Sequence, residues 1–215
     1  QSVYNSYKDN PKQFVDRINS YGLNKPLGLP IKGEGKPVIP QPGTNRWSGV
    51  ALPWMAFGYG LSVTPLQTLT LYNAVANDGV MIKPIFVSEI KEWNKTIKKF
   101  DTQVINPKIC SQETLDKVHA VLENVVKKGT GSKLYSKDFS MAGKTGTAQV
   151  NYKDKSQLYY ASSFVGYFPA DEPKYSCIVV VHKPNVAAGY YGADVAGPVF
   201  KRIAQKIFTD SPSTN

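Results

Sequence analysis

Ser140–Val150, Leu158–Tyr167 and Tyr175–His182 read as three consecutive strands, and the links between them leave few ways to arrange them. The links are Asn151–Gln157 and Pro169–Lys174, the second opening on a Pro-Ala-Asp-Glu-Pro turn. A parallel crossover needs roughly a dozen residues or more, so neighbours joined this way pair antiparallel. A helix follows Gly192–Gly197. Its Phe200, Ile203, Ala204, Ile207 and Phe208 recur at helical spacing and form one apolar face. Such a face is what a meander needs to cover it.

The upstream part reads as helices and loops. Asn10-Pro11-Lys12-Gln13 carries a capping residue, a first-turn proline and a capping-box glutamine, after which Phe14, Ile18 and Tyr21 share a face up to Gly22. Thr64-Pro65-Leu66-Gln67 repeats the signal. The helix it opens is apolar around much of its circumference through Leu66, Leu69, Leu71, Tyr72, Val75 and Ala76, so burial on most sides is expected before Asn77-Asp78-Gly79 ends it. Ser111 caps a third helix with the stripe Leu115, Val118, Leu122, Val125 and Val126, closed by Gly129. Ile85–Trp93 is expected as a strand with imperfect alternation. Leu27–Pro53, rich in Gly and Pro, is expected as a surface loop anchored by Leu27, Leu29, Ile31, Val38, Ile39 and Trp47. Helices, then a meander, then a helix make an α+β arrangement, an antiparallel sheet flanked by helices.

A chain of 215 residues can bury a core without disulfides or metals, and its two cysteines exclude a disulfide scaffold. Cys110 and Cys177 read as free thiols, with a bridge left open. The longest apolar run, Cys177–Val181, is far short of a membrane span. The formal net charge of +10 admits nucleic acid or an anionic glycan as partner. The lysines are scattered, however, and glycine, apolar or acidic residues interrupt the densest groups, Lys91–Lys99 and Lys127–Lys137. A solvated basic face is the better reading, and no nucleic-acid partner is expected. His119 and His182 stand alone without a His-Glu-x-x-His pattern, so no metal or cofactor is expected. No Gly-x-Ser-x-Gly elbow occurs.

Gly143-Lys144-Thr145-Gly146-Thr147 is the strongest chemical signal. A phosphate-binding loop would need glycine at position 138, which is Asp138 and would repel phosphate. The other chemistry that uses these residues is the Lys-Thr-Gly triad of penicillin-binding proteins and serine β-lactamases, carried on a strand between small residues. Met141-Ala142 and Ala148-Gln149 supply that setting. The rest of the chain agrees. Phe57–Gln67 with Tyr72–Gly79, Ala161–Pro169, Gly189–Gly192 and Ala196–Phe200 together resemble, in order, the later part of the transpeptidase domain of a class B penicillin-binding protein. Gly58-Tyr59-Gly60-Leu61-Ser62-Val63-Thr64-Pro65-Leu66-Gln67 resembles the septal, division-specific members more than the elongation-specific ones. A serine β-lactamase or a β-lactam-sensor domain of the same fold is the alternative.

The resemblance implies a peptidoglycan D,D-transpeptidase. A serine attacks the carbonyl between two D-alanines of a stem peptide, and an amine from a neighbouring stem resolves the acyl-enzyme. It implies catalytic roles for Lys144 and Thr147, and substrate contacts from Lys144, Thr145, Gly146, Thr147, Tyr190 and Tyr191. Ordinary loop aromatics remain the alternative for the two tyrosines. Lys144 would place charge beside the substrate carboxylate, the Thr145 and Thr147 hydroxyls would bind that carboxylate, and the Thr147 N–H would be one oxyanion-hole donor. Gly146 would allow a close backbone approach. The implied partners are stem peptides, β-lactams and division-complex membrane proteins. The implied location is outside the cytoplasmic membrane, tethered by an anchor that this chain lacks.

The chain departs from the family pattern at the nucleophile. Its Ser-x-x-Lys, Ser88-Glu89-Ile90-Lys91, and its Ser-x-Asn, Ser213-Thr214-Asn215, stand in the wrong place and order and read as coincidence. The true motifs are expected upstream, with residues 1–209 the later part of the domain and 210–215 a disordered tail. The family sheet has five strands, two of them before the nucleophile. Tyr175–His182 is therefore expected to expose an edge that pairs with another copy or with rearranged termini.

Overall fold

The structure is a computed structural model and describes residues 2–151, 154 and 156–210. Ser213-Thr214-Asn215 and the expected tail, apart from Asp210, lie outside the described residues. Backbone contacts divide the chain into two compact units, Gln1–Thr70 with Val80–Ile109, and Leu71–Gly79 with Cys110–Asn215.

The first unit holds α1 (Ser2–Tyr7), α2 (Pro11–Ser20), α3 (Ala51–Met55) and the start of α4 (Pro65–Ala76). It also holds β1 (Met81–Ile82), β2 (Glu89–Glu92), β3 (Lys95–Lys99) and β4 (Val104–Asn106). Its core gathers Val15, Ile39 and Met55 with Phe14, Ile18, Leu23, Trp47 and Leu61 around them. The α4 capping box forms as expected. Thr64 N–H donates to Gln67 Oε1 at 2.9 Å, and Gln67 N–H donates to Thr64 Oγ1 at 3.1 Å. The buried Gln67 amide also donates to Lys25 O at 2.8 Å, tying the loop to the helix. Beyond Pro65, every α4 residue is buried or half-buried.

Several expectations are corrected. Asn10 precedes α2 without a side-chain cap; Gln13 N–H bonds the Asn10 carbonyl instead. The strand expected over Ile85–Trp93 shortens to β2, which pairs with β3 in a hairpin exposed on both faces. An exposed hairpin needs no apolar alternation, which is why the pattern was imperfect. The long loop contains α3, with Pro53 in its first turn where the missing N–H costs no helical bond. Ile31 is exposed and anchors nothing, whereas Ile39 is buried.

The second unit holds the rest of α4, α5 (Gln112–Lys127), β5 (Ala142–Val150), β6 (Tyr159–Phe168), β7 (Tyr175–His182), α6 (Gly192–Val195) and α7 (Gly197–Asp210). Ser111 caps α5 by accepting from Thr114 N–H, and the stripe Leu115, Val118, Leu122, Val125 and Val126 turns inward. The three strands form an antiparallel sheet in the order β5-β6-β7, the meander expected. Phe164 and Tyr167, three residues apart on β6, point to opposite faces. Phe164 meets Phe200 of α7, ring centroids 4.7 Å apart. Tyr167 OH lies 2.7 Å from His119 Nδ1 of α5, and burial, with Glu123 adding to it, pushes the phenol well above its usual range. On the α7 face Phe200 and Ala204 are buried and Ile207 packs against the core, while Ile203 and Phe208 stay partly exposed on its flanks. Both cysteines are free, and burial raises the Cys177 thiol. Among the described residues β7 pairs with β6 alone, and no strand pairs with its other side.

In the first unit, the Glu34 carboxylate staples the loop. It accepts from Leu29 N–H at 3.0 Å and from Leu27 N–H. The Leu29 bond, then those of Leu27 and Gly28, hold its pKa below the ordinary value, and Lys83 adds to this. A depressed folded-state pKa stabilises the loop above the unfolded pKa, and the effect fades as pH falls through the lowered value. We therefore expect the exchange protection of the Leu27–Leu29 amides, relative to their intrinsic rates at each pH, to fall on acidification below about pH 4, and Glu34→Gln to flatten that dependence.

Candidate active site

β5 owes its position to full-length pairing with β6, from Ala142↔Tyr167 to Val150↔Tyr159. Lys183 N–H donates to Tyr160 O at 2.9 Å, so the backbone groups of Tyr160 face β7. Direction alternates along a strand, so Ala161, Ser163 and Val165 turn theirs toward Ala148, Gly146 and Lys144. Thr145 and Thr147 are one step out of phase. Their N–H and C=O groups point away from β6, onto the far edge of β5. Among the described residues no strand pairs with that edge.

Polar side chains converge there. The exposed Lys144 Nζ donates to Thr145 O at 3.0 Å and to Thr145 Oγ1 at 3.4 Å. Thr145 Oγ1 lies 3.0 Å from Thr130 Oγ1, in the turn after α5. Gly192 N–H, at the start of α6, donates to Thr147 Oγ1 at 3.0 Å, which leaves the Thr147 proton free to donate onward. Lys133 Nζ reaches Asp194 Oδ1 at 2.8 Å and ties the turn after α5 to α6.

The two tyrosines differ in how they are held. The Tyr190 carbonyl accepts from Ser162 Oγ, and its ring stacks on Tyr160 with centroids 4.1 Å apart. Its hydroxyl donates to Tyr191 OH at 3.1 Å, a bond that, with the neighbouring phenols, pushes Tyr190 up to about 12. Tyr190 is thus built onto β6, whereas Tyr191 is exposed.

Within the protein, the backbone is packed closely at Gly146 and more closely at Gly192. A Cβ on Gly146 would meet only the Ser163 hydroxyl, at 2.4 Å, a side chain that can rotate. A Cβ on Gly192 would lie 2.3 Å from Ser163 O and 2.5 Å from Gly146 O, backbone atoms that cannot yield. The stricter requirement therefore falls on Gly192, which the sequence marks only as the end of the Gly189–Gly192 passage. Thr130 went unnoticed as well, since nothing near it in sequence marks a contact with position 145.

Ser88 precedes β2 rather than lying on a helix, and its carbonyl accepts from Phe100 N–H. Lys91 pairs with Glu89 at 2.7 Å. This Ser-x-x-Lys thus lacks the one-turn helical geometry that would bring its lysine to its serine. Among the described residues no three His, Cys, Asp or Glu side chains gather to hold a metal, and no helix is long and apolar enough to cross a membrane.

The family model of the penicillin binding protein transpeptidase domain matches residues 4–205. The chain belongs to this family. It is 33% identical over 199 residues to peptidoglycan D,D-transpeptidase FtsI of Buchnera aphidicola, covering 91% of this chain and 33% of that protein. It is 33% identical over 193 residues to stage V sporulation protein D of Bacillus subtilis, covering 86% of this chain and 29% of that protein. Among solved structures it resembles penicillin binding protein 3 of Mycobacterium tuberculosis, with a TM-score of 0.80 and 27% identity over 95% of this chain and 47% of that one. The same protein complexed with aztreonam gives a TM-score of 0.79, again at 27% identity over 95% of this chain and 47% of that one. The chain thus spans about a third of the length of the curated relatives it matches.

In this transpeptidase-family chain the open edge of β5 carries the Lys-Thr-Gly motif, and α6 lies against it through Gly192. Gly192→Ala is expected to push α6 off β5 and destabilise the protein by about 1–3 kcal/mol, the usual cost of overpacking. Thermal unfolding checks this, and an unchanged melting temperature would contradict the contact.

Proposed function

We propose that the chain is the Lys-Thr-Gly-bearing part of a peptidoglycan D,D-transpeptidase, with residues 1–209 the later portion of its catalytic domain. The observation that carries the reading is the unpaired β5 edge with Lys144, Thr145 and Thr147 gathered along it. A stem peptide laid against this edge adds as a strand would, bonding the outward N–H and C=O groups of Thr145 and Thr147. Its terminal carboxylate meets the Lys144 ammonium and the Thr145 and Thr147 hydroxyls. The Thr147 N–H, pointing the same way, is placed to stabilise the oxyanion of the tetrahedral intermediate. Tyr190 and Tyr191 line the mouth of the site, Tyr190 as its fixed wall. A β-lactam presents an anionic group beside an acylating carbonyl and occupies the same groups, in keeping with the aztreonam complex of the structural relative.

The acylating serine in this mechanism is assigned to no residue of the chain, because Ser88 stands on no helix. The septal role, division-complex membrane partners and a membrane tether outside these residues belong to the same proposal. The relatives named FtsI support it over a β-lactamase or a sensor.

Fluorescent penicillin labelling of the intact protein tests the reading. Lys144→Ala is expected to slow acylation on the order of 10²-fold, the scale on which a preorganised charge or donor acts in such sites. Acylation at the native rate would overturn the role of Lys144. Covalent labelling of this 215-residue chain alone would overturn the assignment of the nucleophile outside it.

A further inference from the structure

We propose that Thr130 is a positioning residue for the carboxylate site, acting through the Thr145 hydroxyl. This rests on the transpeptidase reading above. Three atoms carry it: Thr130 Oγ1 is 3.0 Å from Thr145 Oγ1, which is 3.4 Å from Lys144 Nζ. A threonine hydroxyl has one proton and two acceptor positions. The lysine ammonium can only donate, so it fills one acceptor position of Thr145. Either hydroxyl can donate in the Thr130–Thr145 bond; once an anion takes the Thr145 proton, Thr130 is left as the donor and fills the other acceptor position. The remaining direction for the Thr145 proton is outward, where an anion at the strand edge accepts it. Thr130 and Lys144 together thus turn Thr145 from an ambivalent hydroxyl into a fixed donor. Without Thr130, the Thr145 hydroxyl is free to rotate and to present a lone pair to the incoming carboxylate.

The turn that carries Thr130 is built to hold it. Gly129 N–H bonds Asn124 O at 2.9 Å, and Gly131 N–H bonds Val125 O at 3.0 Å, so the last turn of α5 grips the residues on either side. A Cβ on Gly129 would lie 2.9 Å from Val125 Cα, and one on Gly131 3.2 Å from Val125 O. A side chain at Gly129 would force the backbone to shift and one at Gly131 would crowd the Val125 carbonyl, and the threonine between them is presented to β5. Lys133, three residues on, is tied to Asp194 of α6. The same segment therefore touches both walls of the strand edge.

The test compares a ligand that has the carboxylate with one that lacks it. In the intact protein, second-order acylation rates are measured with benzylpenicillin and with its methyl ester. Thr130→Val is expected to lower the carboxylate-to-ester selectivity about tenfold, the scale of one hydrogen bond to a charged group, and Thr130→Ser to restore it. In a Thr145→Val background, Thr130→Val should then cost nothing further in selectivity. Equal loss for both ligands, or selectivity unchanged by Thr130→Val, overturns the proposal, as does an additional loss in the Thr145→Val background. If Thr130→Val does not fold, Thr130→Ala takes its place under the same criteria. Wild-type protein that benzylpenicillin does not acylate would instead overturn the transpeptidase reading, and this inference with it.

Discussion

The pairing of β5 with β6 is the interaction on which the rest of the site depends. It runs without a register shift from Ala142↔Tyr167 to Val150↔Tyr159, and β6 is in turn paired with β7 along nearly all its length. A strand held this firmly on one side has every second N–H and C=O committed to the other. The chemistry of the Lys-Thr-Gly segment therefore belongs to an edge as much as to side chains. A slip of one residue would exchange the faces to which Lys144 and Thr145 turn and swap which backbone groups reach the edge.

Around that edge, small residues set the distances. Gly192 lets the start of α6 lie directly on the backbone of Gly146 and Ser163, and so brings its N–H to the Thr147 hydroxyl. Gly129 and Gly131 do the same for Thr130 at the end of α5. The core beneath is apolar and close-packed, with Phe164, Phe168 and Phe200 meeting edge to face. The polar groups of the β5 edge are thus mounted on elements that cannot easily shift, a condition for the preorganised binding of an anion proposed above.

Much of the second unit was legible in the sequence because its signals are local. The strand bounds fall within two residues of those expected from alternation and turns, and Ser111 and Thr64 cap the helices they appeared to cap. Where local signals fail, the reasons are physical. The β2–β3 hairpin is exposed on both faces, so it carries no apolar period. β1 and β4 are short strands far apart in sequence, joined only by tertiary pairing. Asn10 has a capping residue's identity, but its side chain makes no capping bond, because φ −144° and ψ 70° are not the usual cap conformation.

The sequence by itself determined the meander, its covering helix and the family, because alternation, capping and the five-residue motif Gly143–Thr147 act over a few neighbouring positions. It also placed Lys144, Thr145, Gly146 and Thr147 on one strand. Only the tertiary structure decided which edge of that strand is open, that Thr130 bonds to Thr145 and that Gly192 bonds to Thr147. Those contacts join residues 15 and 45 positions apart. Their existence depends on how α5 and α6 pack on the sheet, which no local pattern encodes.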